Sequence, residues 1–562
     1  MRLLNGSEMI MEAIKNEGIE TVFGYPGGAA LNIFDEIYKQ NYFKTILVRH
    51  EQAATHAADG YARASGKVGV AIVTSGPGFT NTITGLATAY LDSIPMVLIS
   101  GQVATSLIGT DAFQEIDAIG ISRPCVKHNY LVKDIKELPR ILKEAFYLAR
   151  SGRPGPVHID IPKDITAAIG EFDYPQTISM ETYKPTLKGN AKQIKKISEL
   201  LLECKKPLLY IGGGAISSEA SAVLNEFVEQ TGIPNVATLM ALGVIPKTAP
   251  NHLGMVGMHG KYAANMAMSE ADLIISCGAR FDDRVTGKLS EFGKNAKIVH
   301  IDVDPSSISK IVEAHYPVVG DLKWVMGELL KRVRELNISK NSYLAWQEII
   351  KNYDRVYPLS YEDSDEVLKP QWVIEETAKI VGKEAVISTD VGQHQMWVAQ
   401  FYPFSKPRTL LTSGGLGTMG YGFPAAIGAK FAKKELPVIN FTGDGSILMN
   451  IQELQTAVEY DAPVINIILN NNYLGMVRQW QTLFYEKRYS LTDLSKQPNF
   501  AKIADGFGAL GFVVKSKDEF RSALKKSLES KKCCILDVRI DRMENVIPMV
   551  PAGGALFNMI LK

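Results

Sequence analysis

The 562-residue sequence has little of several features that would assign it to a specialised class of protein. There are only five cysteines, an odd number, and none forms a CxxC pair, so the sequence predicts neither a zinc site nor a disulfide framework. We therefore expect a reducing, cytoplasmic location. The charge is balanced, since 61 Lys and Arg face 60 Asp and Glu, so no basic excess is available for binding nucleic acid.

Long apolar runs are also missing. The longest uncharged stretch, residues 68–91, is interrupted by Ser75-Gly76-Pro77-Gly78, whereas a membrane-spanning helix needs about 18 or more apolar residues. Glu8 and Glu12 come too early for the apolar core of a signal peptide. We expect no association with a membrane.

What the sequence does contain is a regular alternation of short β-branched runs with longer helical patterns. This alternation is typical of an α/β fold with parallel sheets covered by helices. We predict three doubly wound parallel-sheet domains, over residues 1–170, 188–345 and 365–562, and a charged connecting helix over residues 331–354. In such sheets ligands bind beyond the carboxyl ends of the strands.

The strongest motif follows two predicted strands of the last domain. Residues 437–441 lead into Gly443-Asp444-Gly445, and residues 463–469 lead into Asn470-Asn471-Asn472, with 27 residues between Asp444 and Asn471. A strand–helix–strand unit of this length brings the two strand ends together. Asp and Asn oxygens suit Mg²⁺ bound to a diphosphate; the alternative is an ordinary turn with an Asx cap.

A second candidate is Glu51, in HEQAATHAADGYAR. A predicted strand over residues 46–48 precedes it, and an alanine-rich helix follows it. Such a carboxylate could move a proton in an apolar setting. The alternative is a solvated glutamate in the first turn of a helix, favoured by the helix dipole.

These motifs resemble those of thiamine diphosphate (ThDP) enzymes, whose domains bind the pyrimidine ring, a central FAD-type ligand and the diphosphate. The resemblance implies that the Asp444 and Asn471 side chains and the Tyr473 backbone carbonyl bind Mg²⁺. It also implies that Glu51 bonds to the aminopyrimidine ring of the cofactor and that Met419 holds the cofactor bent. The other implied ThDP contacts are Val391, Gly392, Gln393, His394, Gly417, Gly443, Gly445, Ser446, Gly475 and Met476.

Three further segments narrow the resemblance: GARFDDRVTGK from Gly278, AFQEID from Ala112 and GMVRQWQ from Gly475. Taken alone, Arg280 and Arg284 could bind a phosphate or carboxylate or form a surface ion-pair cluster, and Trp480 could be a substrate wall or core. Together the segments are similar to those of the catalytic subunits of acetohydroxyacid (acetolactate) synthases, and the similarity extends over the whole chain.

The resemblance implies a transferase of branched-chain amino acid biosynthesis, serving isoleucine and valine. Pyruvate would be decarboxylated and its two-carbon unit joined to a second 2-oxo acid, either pyruvate or 2-oxobutyrate. Arg284 would hold the carboxylate of the second substrate and Trp480 would favour the longer alkyl group. The implied residues at the mouth of the site are Gly28, Phe113, Gln114, Lys163 and Met476.

The resemblance also implies FAD in the central domain. The implied FAD contacts are Arg153, Gly212, Gly213, Gly214, Thr238, Leu239, Met258, His259, Gly278, Arg280, Asp282, Arg284, Val285, Asp302, Val303 and Asp321. It further implies a homodimer or a dimer of dimers with active sites between subunits, and a small regulatory subunit. The alternatives are an FAD- and ThDP-dependent pyruvate oxidase, a 2-oxo acid decarboxylase, or a non-catalytic module of the same fold.

Overall fold

The computed structural model describes residues 2–561, which form three six-stranded sheets and one two-stranded ribbon. Every pairing within the three large sheets that has been assigned is parallel. The predicted α/β class with three doubly wound parallel sheets is confirmed.

The first sheet is built from the N-terminal part of the chain. Its strands and the ribbon strands are β1 Arg2–Asn5, β2 Thr21–Gly24, β3 Lys44–Leu47, β4 Gly69–Val73, β5 Met96–Gln102, β6 His128–Leu131, β7 Pro156–Pro162 and β8 Ile169–Phe172. The helices are α1 Gly6–Asn16, α2 Leu31–Lys39, α3 Glu51–Ser65, α4 Pro77–Thr80, α5 Ile83–Asp92, α6 Ala118–Ser122, α7 Leu138–Arg150 and α8 Lys163–Ala167. The sheet order is β3-β2-β4-β5-β7-β6, and β1 pairs with β8 in the antiparallel ribbon.

The second sheet follows a linker. Its strands are β9 Pro207–Ile211, β10 Asn235–Ala237, β11 His252–Met255, β12 Leu273–Cys277, β13 Lys297–Asp302 and β14 Tyr316–Val319, in the order β11-β10-β9-β12-β13-β14. The helices are α9 Ala191–Glu203, α10 Gly214–Ser217, α11 Ser221–Thr231, α12 Tyr262–Glu270, α13 Asp283–Thr286, α14 Leu322–Glu335 and α15 Leu344–Val356.

The predicted connecting helix over residues 331–354 is wrong as a single element. The chain leaves α14 at Leu336, Asn337 takes a left-handed φ of 56°, and α15 begins at Leu344. The second helix packs back onto the second sheet, because the buried Trp346 donates from Nε1 to the Pro207 carbonyl at 3.1 Å. The segment is therefore part of the core of its domain.

The third sheet contains β15 Val386–Thr389, β16 Leu410–Leu411, β17 Val438–Thr442, β18 Val464–Asn470, β19 Leu510–Val514 and β20 Cys534–Arg539, in the order β16-β15-β17-β18-β20-β19. Its helices are α16 Pro370–Val381, α17 Gln393–Phe401, α18 Gly422–Ala432, α19 Asp444–Ile447, α20 Glu453–Glu459, α21 Gly475–Phe484, α22 Phe500–Gly506 and α23 Lys517–Ser530.

The central strands are apolar along most of their length because helices cover both faces of each sheet. Every residue of β5 and of β18 is buried. No helix of residues 2–561 is long and apolar enough to cross a membrane.

Helices α3 and α18 pack closely and join the first sheet to the third. A Cβ on Gly60 would lie 2.1 Å from the Ala425 carbonyl oxygen, and one on Gly428 would lie 1.8 Å from that of Ala57. Only glycine allows the two backbones to approach this closely. The contact fixes α3, whose first residue is Glu51, against the third domain.

Candidate active site and cofactor cavity

The predicted metal ligands lie at the ends of two neighbouring strands. β17 and β18 pair in parallel, with Thr442 opposite Ile468, so Asp444 and Asn471 follow strand ends at the same edge of the third sheet. Both side chains are buried. Gln497 links the asparagine loop to the acid, because its Nε2 donates to the Asp444 carboxylate and its Oε1 accepts from Asn470 Nδ2 at 3.0 Å.

This edge offers oxygen ligands of the kind that magnesium prefers. Burial raises the pKa of Asp444 to about 6, and a cation at this position would stabilise the charged carboxylate. The Asn471 amide oxygen accepts from the Tyr473 backbone N–H at 3.0 Å. Across residues 2–561, no three His, Cys, Asp or Glu side chains cluster as a metal site. Magnesium would therefore need amide, backbone and diphosphate oxygens beside the carboxylate of Asp444.

Three glycines allow close packing at the same edge. A Cβ on Gly392, whose φ is 157°, would lie 2.8 Å from the His394 ring, and one on Gly443 would lie 3.2 Å from it. A Cβ on Gly475 would lie 2.1 Å from Gln393 Oε1. Glycine at these three positions therefore lets the backbone pack closely against the side chains of His394 and Gln393.

One buried nitrogen at this edge has no protein partner. His394 Nε2 is buried and makes no hydrogen bond to the described residues. Burial lowers the pKa of His394 to about 3, so the ring is neutral. Buried polar atoms are normally paired, so an unpaired one here fits a ligand-binding role.

The remaining predicted ThDP contacts lie at this edge or beside it. Ser446 Oγ accepts from the Gly443 backbone N–H at 3.3 Å. A Cβ on Gly445 would lie 4.0 Å from the terminal methyl of Met419. The other predicted contacts, Val391, Gly417 and Met476, line an adjoining cavity together with Gly392 and Met419.

Glu51 lies at the carboxyl edge of the first sheet. It follows β3 and begins α3, and its Oε2 accepts from Asn81 Nδ2 at 2.9 Å. A Cβ on Gly78 would lie 3.5 Å from Oε1. The loop between β4 and α5 therefore sets the position of this carboxylate.

Four further predicted residues belong to the same edge of the first sheet. Gly28 follows β2 and is exposed, Lys163 follows β7, and Gln114 lies against Gly76 with a left-handed φ of 60°. Phe113 beside it is 88% exposed. Neither these residues nor Glu51 line the cavity that Met419 lines, so within one chain the two predicted halves of the ThDP site are separate.

A cavity of about 1120 Å³ lies between the three domains. Every predicted FAD contact lines it: Arg153, Gly212, Gly213, Gly214, Thr238, Leu239, Met258, His259, Gly278, Arg280, Asp282, Arg284, Val285, Asp302, Val303 and Asp321. Trp480 and Met476 line it as well. Its volume slightly exceeds the usual range for one ligand, about 300–1,000 Å³, so it has room for a dinucleotide and a small substrate.

The chemistry of this lining fits a dinucleotide. β9 and β12 are parallel neighbours, and a Cβ on Gly212 would lie 2.3 Å from the Gly278 carbonyl oxygen, so the two glycine turns after these strands pack backbone to backbone. Thr238 Oγ1 is buried without a partner among the described residues. Burial raises the pKa of Asp302 to about 6. Nucleotide-binding sites at strand ends commonly combine a glycine turn with an acid that accepts from ribose hydroxyls. The glycine turns, Asp302 and the unpaired Thr238 hydroxyl fit this pattern.

The lining of the cavity also includes the exposed cation Arg284 and the aromatic residue Trp480. The Arg284 side chain is 62% exposed, and its ion pair with Asp283 measures 3.4 Å. Trp480 packs edge-on against Phe484 with ring centroids 5.5 Å apart. Trp480 also lines a second cavity of about 690 Å³ with Tyr485 and Arg488. An exposed guanidinium and an aromatic side chain in one cavity could bind a small carboxylate with an alkyl tail.

Sequence reasoning missed part of the cavity wall. Leu91, Asp92 and Ser93, at the end of α5, line it, and so does the linker between the first and second domains, including Met180 and Tyr183. The linker carries no motif that predicts a role. No local pattern predicts a role for Asp92 at the end of α5, since its contacts come from distant parts of the chain.

Three family models match the chain. They describe the N-terminal TPP-binding domain, the central domain and the C-terminal TPP-binding domain of thiamine pyrophosphate enzymes, over residues 4–121, 194–329 and 390–538. The class defined by the three sheets and their edges is thus that of the thiamine pyrophosphate enzymes.

Relatives from bacteria and archaea narrow this class. The acetolactate synthase large subunit of Haemophilus influenzae is 49% identical over 100% of this chain and 99% of its own. The large subunit of acetolactate synthase isozyme 3 from Escherichia coli is 48% identical over 100% of this chain and 99% of its own. A probable acetolactate synthase large subunit from Methanocaldococcus jannaschii is 46% identical over 99% of this chain and 95% of its own. The chain belongs to the acetolactate synthase large subunits, which confirms the resemblance over the oxidase and decarboxylase alternatives.

Proposed function

We propose that this chain decarboxylates pyruvate and joins the remaining two-carbon unit to pyruvate or 2-oxobutyrate. The observation that supports this most directly is that Arg284, Trp480 and Met419 line the same cavity. ThDP, when bound, supplies the electron sink for the carbon that loses CO₂. A second 2-oxo acid then needs a carboxylate-binding group and an apolar wall beside that carbon.

In this proposal the chain's own residues orient the second substrate. The exposed guanidinium of Arg284 pairs with its carboxylate. Trp480 contacts its alkyl group, and the extra methylene of 2-oxobutyrate is worth about 1–3 kcal/mol in an apolar site. The mouth of the site would be completed by the first domain of a second chain, which carries Gly28, Phe113, Gln114 and Lys163.

Glu51 is proposed to hold and pass the proton that activates the cofactor ring. Asn81 occupies Oε2 at 2.9 Å, which leaves Oε1 for that proton. Because Glu51 does not line the cavity of its own chain, it would serve a site completed by the third domain of a second chain. The active unit would then be a homodimer or a dimer of dimers, which light scattering with and without cofactors would test.

Magnesium is proposed at the edge of the third sheet. Asp444, Asn471 and the Tyr473 carbonyl would hold it, supported by the shared strand edge and by the burial of the two side chains. Calorimetric titration of ThDP in EDTA should then show no binding. Binding of equal strength without a divalent cation would contradict the site.

FAD is proposed in the larger part of the cavity. The adjacent glycine turns, the partly buried acid Asp302 and the cation Arg153 support it. No electrons need pass to the flavin in this reaction, because decarboxylation and carbon–carbon bond formation balance without an oxidant. Quenching of flavin fluorescence on mixing would measure the affinity.

We also propose a small regulatory partner and a cytoplasmic location. The relatives are named as large subunits, which supports a small regulatory partner; co-purification with a candidate subunit would test it. Five unpaired cysteines support a cytoplasmic location, which fractionation would test.

The deciding experiment is identification of the product. The purified chain would be incubated with pyruvate, ThDP, Mg²⁺ and FAD, and then with added 2-oxobutyrate. We expect acetolactate first and acetohydroxybutyrate in addition. Acetaldehyde alone, or acetate with reduction of the flavin, would contradict the proposed carboligation and the roles of Arg284 and Trp480.

A further inference from the structure

The C-terminal end of α5 contacts elements of both cofactor sites through three consecutive residues. The Leu91 carbonyl accepts from Arg280 Nη1 at 2.5 Å, and Ser93 Oγ accepts from Arg153 Nε at 2.8 Å. Ser93 caps the helix in a left-handed conformation with φ 59°. Between them, Asp92 points to the third domain.

The Asp92 carboxylate binds the backbone of a glycine-rich loop. Its Oδ1 accepts from the Gly415 N–H at 2.7 Å, and its Oδ2 accepts from the Gly414 N–H at 3.0 Å. The side chain has no exposed surface. This loop, residues 413–421, also carries Gly417 and Met419.

The negative charge of Asp92 is balanced by a buried arginine. Arg63 Nη2 donates to Asp92 Oδ2 at 2.8 Å, and Arg63 Nε pairs with Asp59 Oδ1 at 2.5 Å. Asp59 accepts in turn from the Tyr421 hydroxyl at 2.6 Å. The two ends of the loop are therefore anchored to one charge network on α3 and α5.

The loop sits so close to α5 that its sequence is constrained there. A Cβ on Gly415 would lie 2.9 Å from Leu91 Cβ and 3.0 Å from Asp92 Oδ1. Thr88 on the same helix adds a hydroxyl contact of 2.8 Å to Thr418, next to Met419. The fit is specific on both sides of the contact.

We propose that Asp92 is a positioning residue for the ThDP site formed with its own chain's Met419. It holds the Met419 loop in place while Glu51 of the same chain acts in a different site. This inference rests on the proposed function. The inference adds that α3 and α5 link two active sites. Glu51, the first residue of α3, acts in one site, and the charge network of Asp59, Arg63 and Asp92 positions the Met419 loop of the other.

The first test is Asp92→Asn in the full dimer. An amide at this position would direct a donor at Gly414, Gly415 or Arg63, so the loop would shift. We expect kcat for acetolactate to fall about 10²-fold, the usual effect of misplacing reacting groups. ThDP affinity should change less than threefold, because the Asp444 edge is untouched. The exposed change Asp505→Asn is the matched control and should leave kcat unchanged.

A role limited to folding would give a different pattern. It would lower ThDP and FAD affinity together with kcat, and that outcome would overturn the proposal. If Asp92→Asn does not fold, Gly415→Ala disturbs the same contact from the loop side and keeps the Arg63 pair. Normal kcat in Gly415→Ala would equally overturn it.

Hybrid dimers carrying two different purification tags give the sharpest test. With Glu51→Gln in one chain and Asp92→Asn in the other, one site keeps both intact groups, so about half of the wild-type activity should remain. With both changes in one chain, neither site is intact and nearly all activity should be lost. The reverse order, or equal loss in both hybrids, would overturn the proposal. Failure of the wild type to form acetolactate would refute the proposed function instead.

Discussion

At the scale of single residues, burial and partners separate the functional acids from the structural ones. Glu51 has one hydrogen-bonded oxygen and one that faces a glycine. Glu453 is fully buried, and Arg49 N–H and Thr456 Oγ1 donate to its carboxylate. The first is arranged for proton transfer and the second for holding two domains together, so their variants should differ.

Glu51→Gln should nearly abolish turnover and leave ThDP bound. The amide cannot take up a proton, and general acid–base groups are worth about 10²–10⁴-fold. Product formation and a calorimetric titration of ThDP would be measured on the same sample. The surface change Glu20→Gln is the control. Turnover close to that of the wild type would remove Glu51 from the proposed mechanism.

Glu453→Gln should change how stability depends on pH. Burial raises the pKa of Glu453 to about 7 from an ordinary value of 4.5. The folded state therefore holds this proton more tightly, and its contribution to stability is full below pH 4.5 and is lost as pH rises to about 7. The slope from one group is at most about 1.4 kcal/mol per pH unit.

The glutamine variant lacks this loss, so its stability relative to the wild type should rise between those two pH values. Urea midpoints at a series of pH values would measure it. The exposed change Glu529→Gln should follow the wild type throughout. A constant difference between Glu453→Gln and the wild type would show that Glu453 titrates normally.

At the scale of elements, the contact between α3 and α18 depends on two glycines. Gly428→Ala would place a Cβ 1.8 Å from the Ala57 carbonyl oxygen. We expect a loss of about 1–3 kcal/mol in the free energy of unfolding, the usual cost of overpacking. Gly327→Ala, inside α14 with open space at its Cβ, is the control and should be neutral or stabilising. Equal midpoints in thermal or urea melts for both variants would contradict this packing.

The elements were largely predictable because the strands are buried on both faces and therefore apolar. The strand predicted over residues 463–469 lies at Val464–Asn470, within one residue of the prediction, whereas the helix break at Asn337 was missed. A left-handed asparagine in a charged, helix-favouring stretch carries a weak local signal. The Asp444 and Glu51 edges followed from strand ends, but the Asp92 contacts join residues more than 300 apart in sequence, which no local pattern reveals.

At the scale of the whole molecule, the predicted functional groups lie at the edges of different sheets. The first contributes Glu51, the third contributes Asp444, and the cavity between the domains contains the predicted FAD contacts. No single domain contains all of these groups. A site built from several domains leaves its motifs spread over the whole chain.

The shared cavity has a thermodynamic consequence for the two ligands proposed to bind in it. If a flavin and a 2-oxo acid occupy one volume, each forms part of the wall that the other meets. Any factor by which FAD changes the affinity for 2-oxobutyrate must then equal the factor by which 2-oxobutyrate changes the affinity for FAD. Flavin titrations of Glu51→Gln, which should not consume the substrate, would measure that factor. A flavin without a redox task would in this way still select substrates.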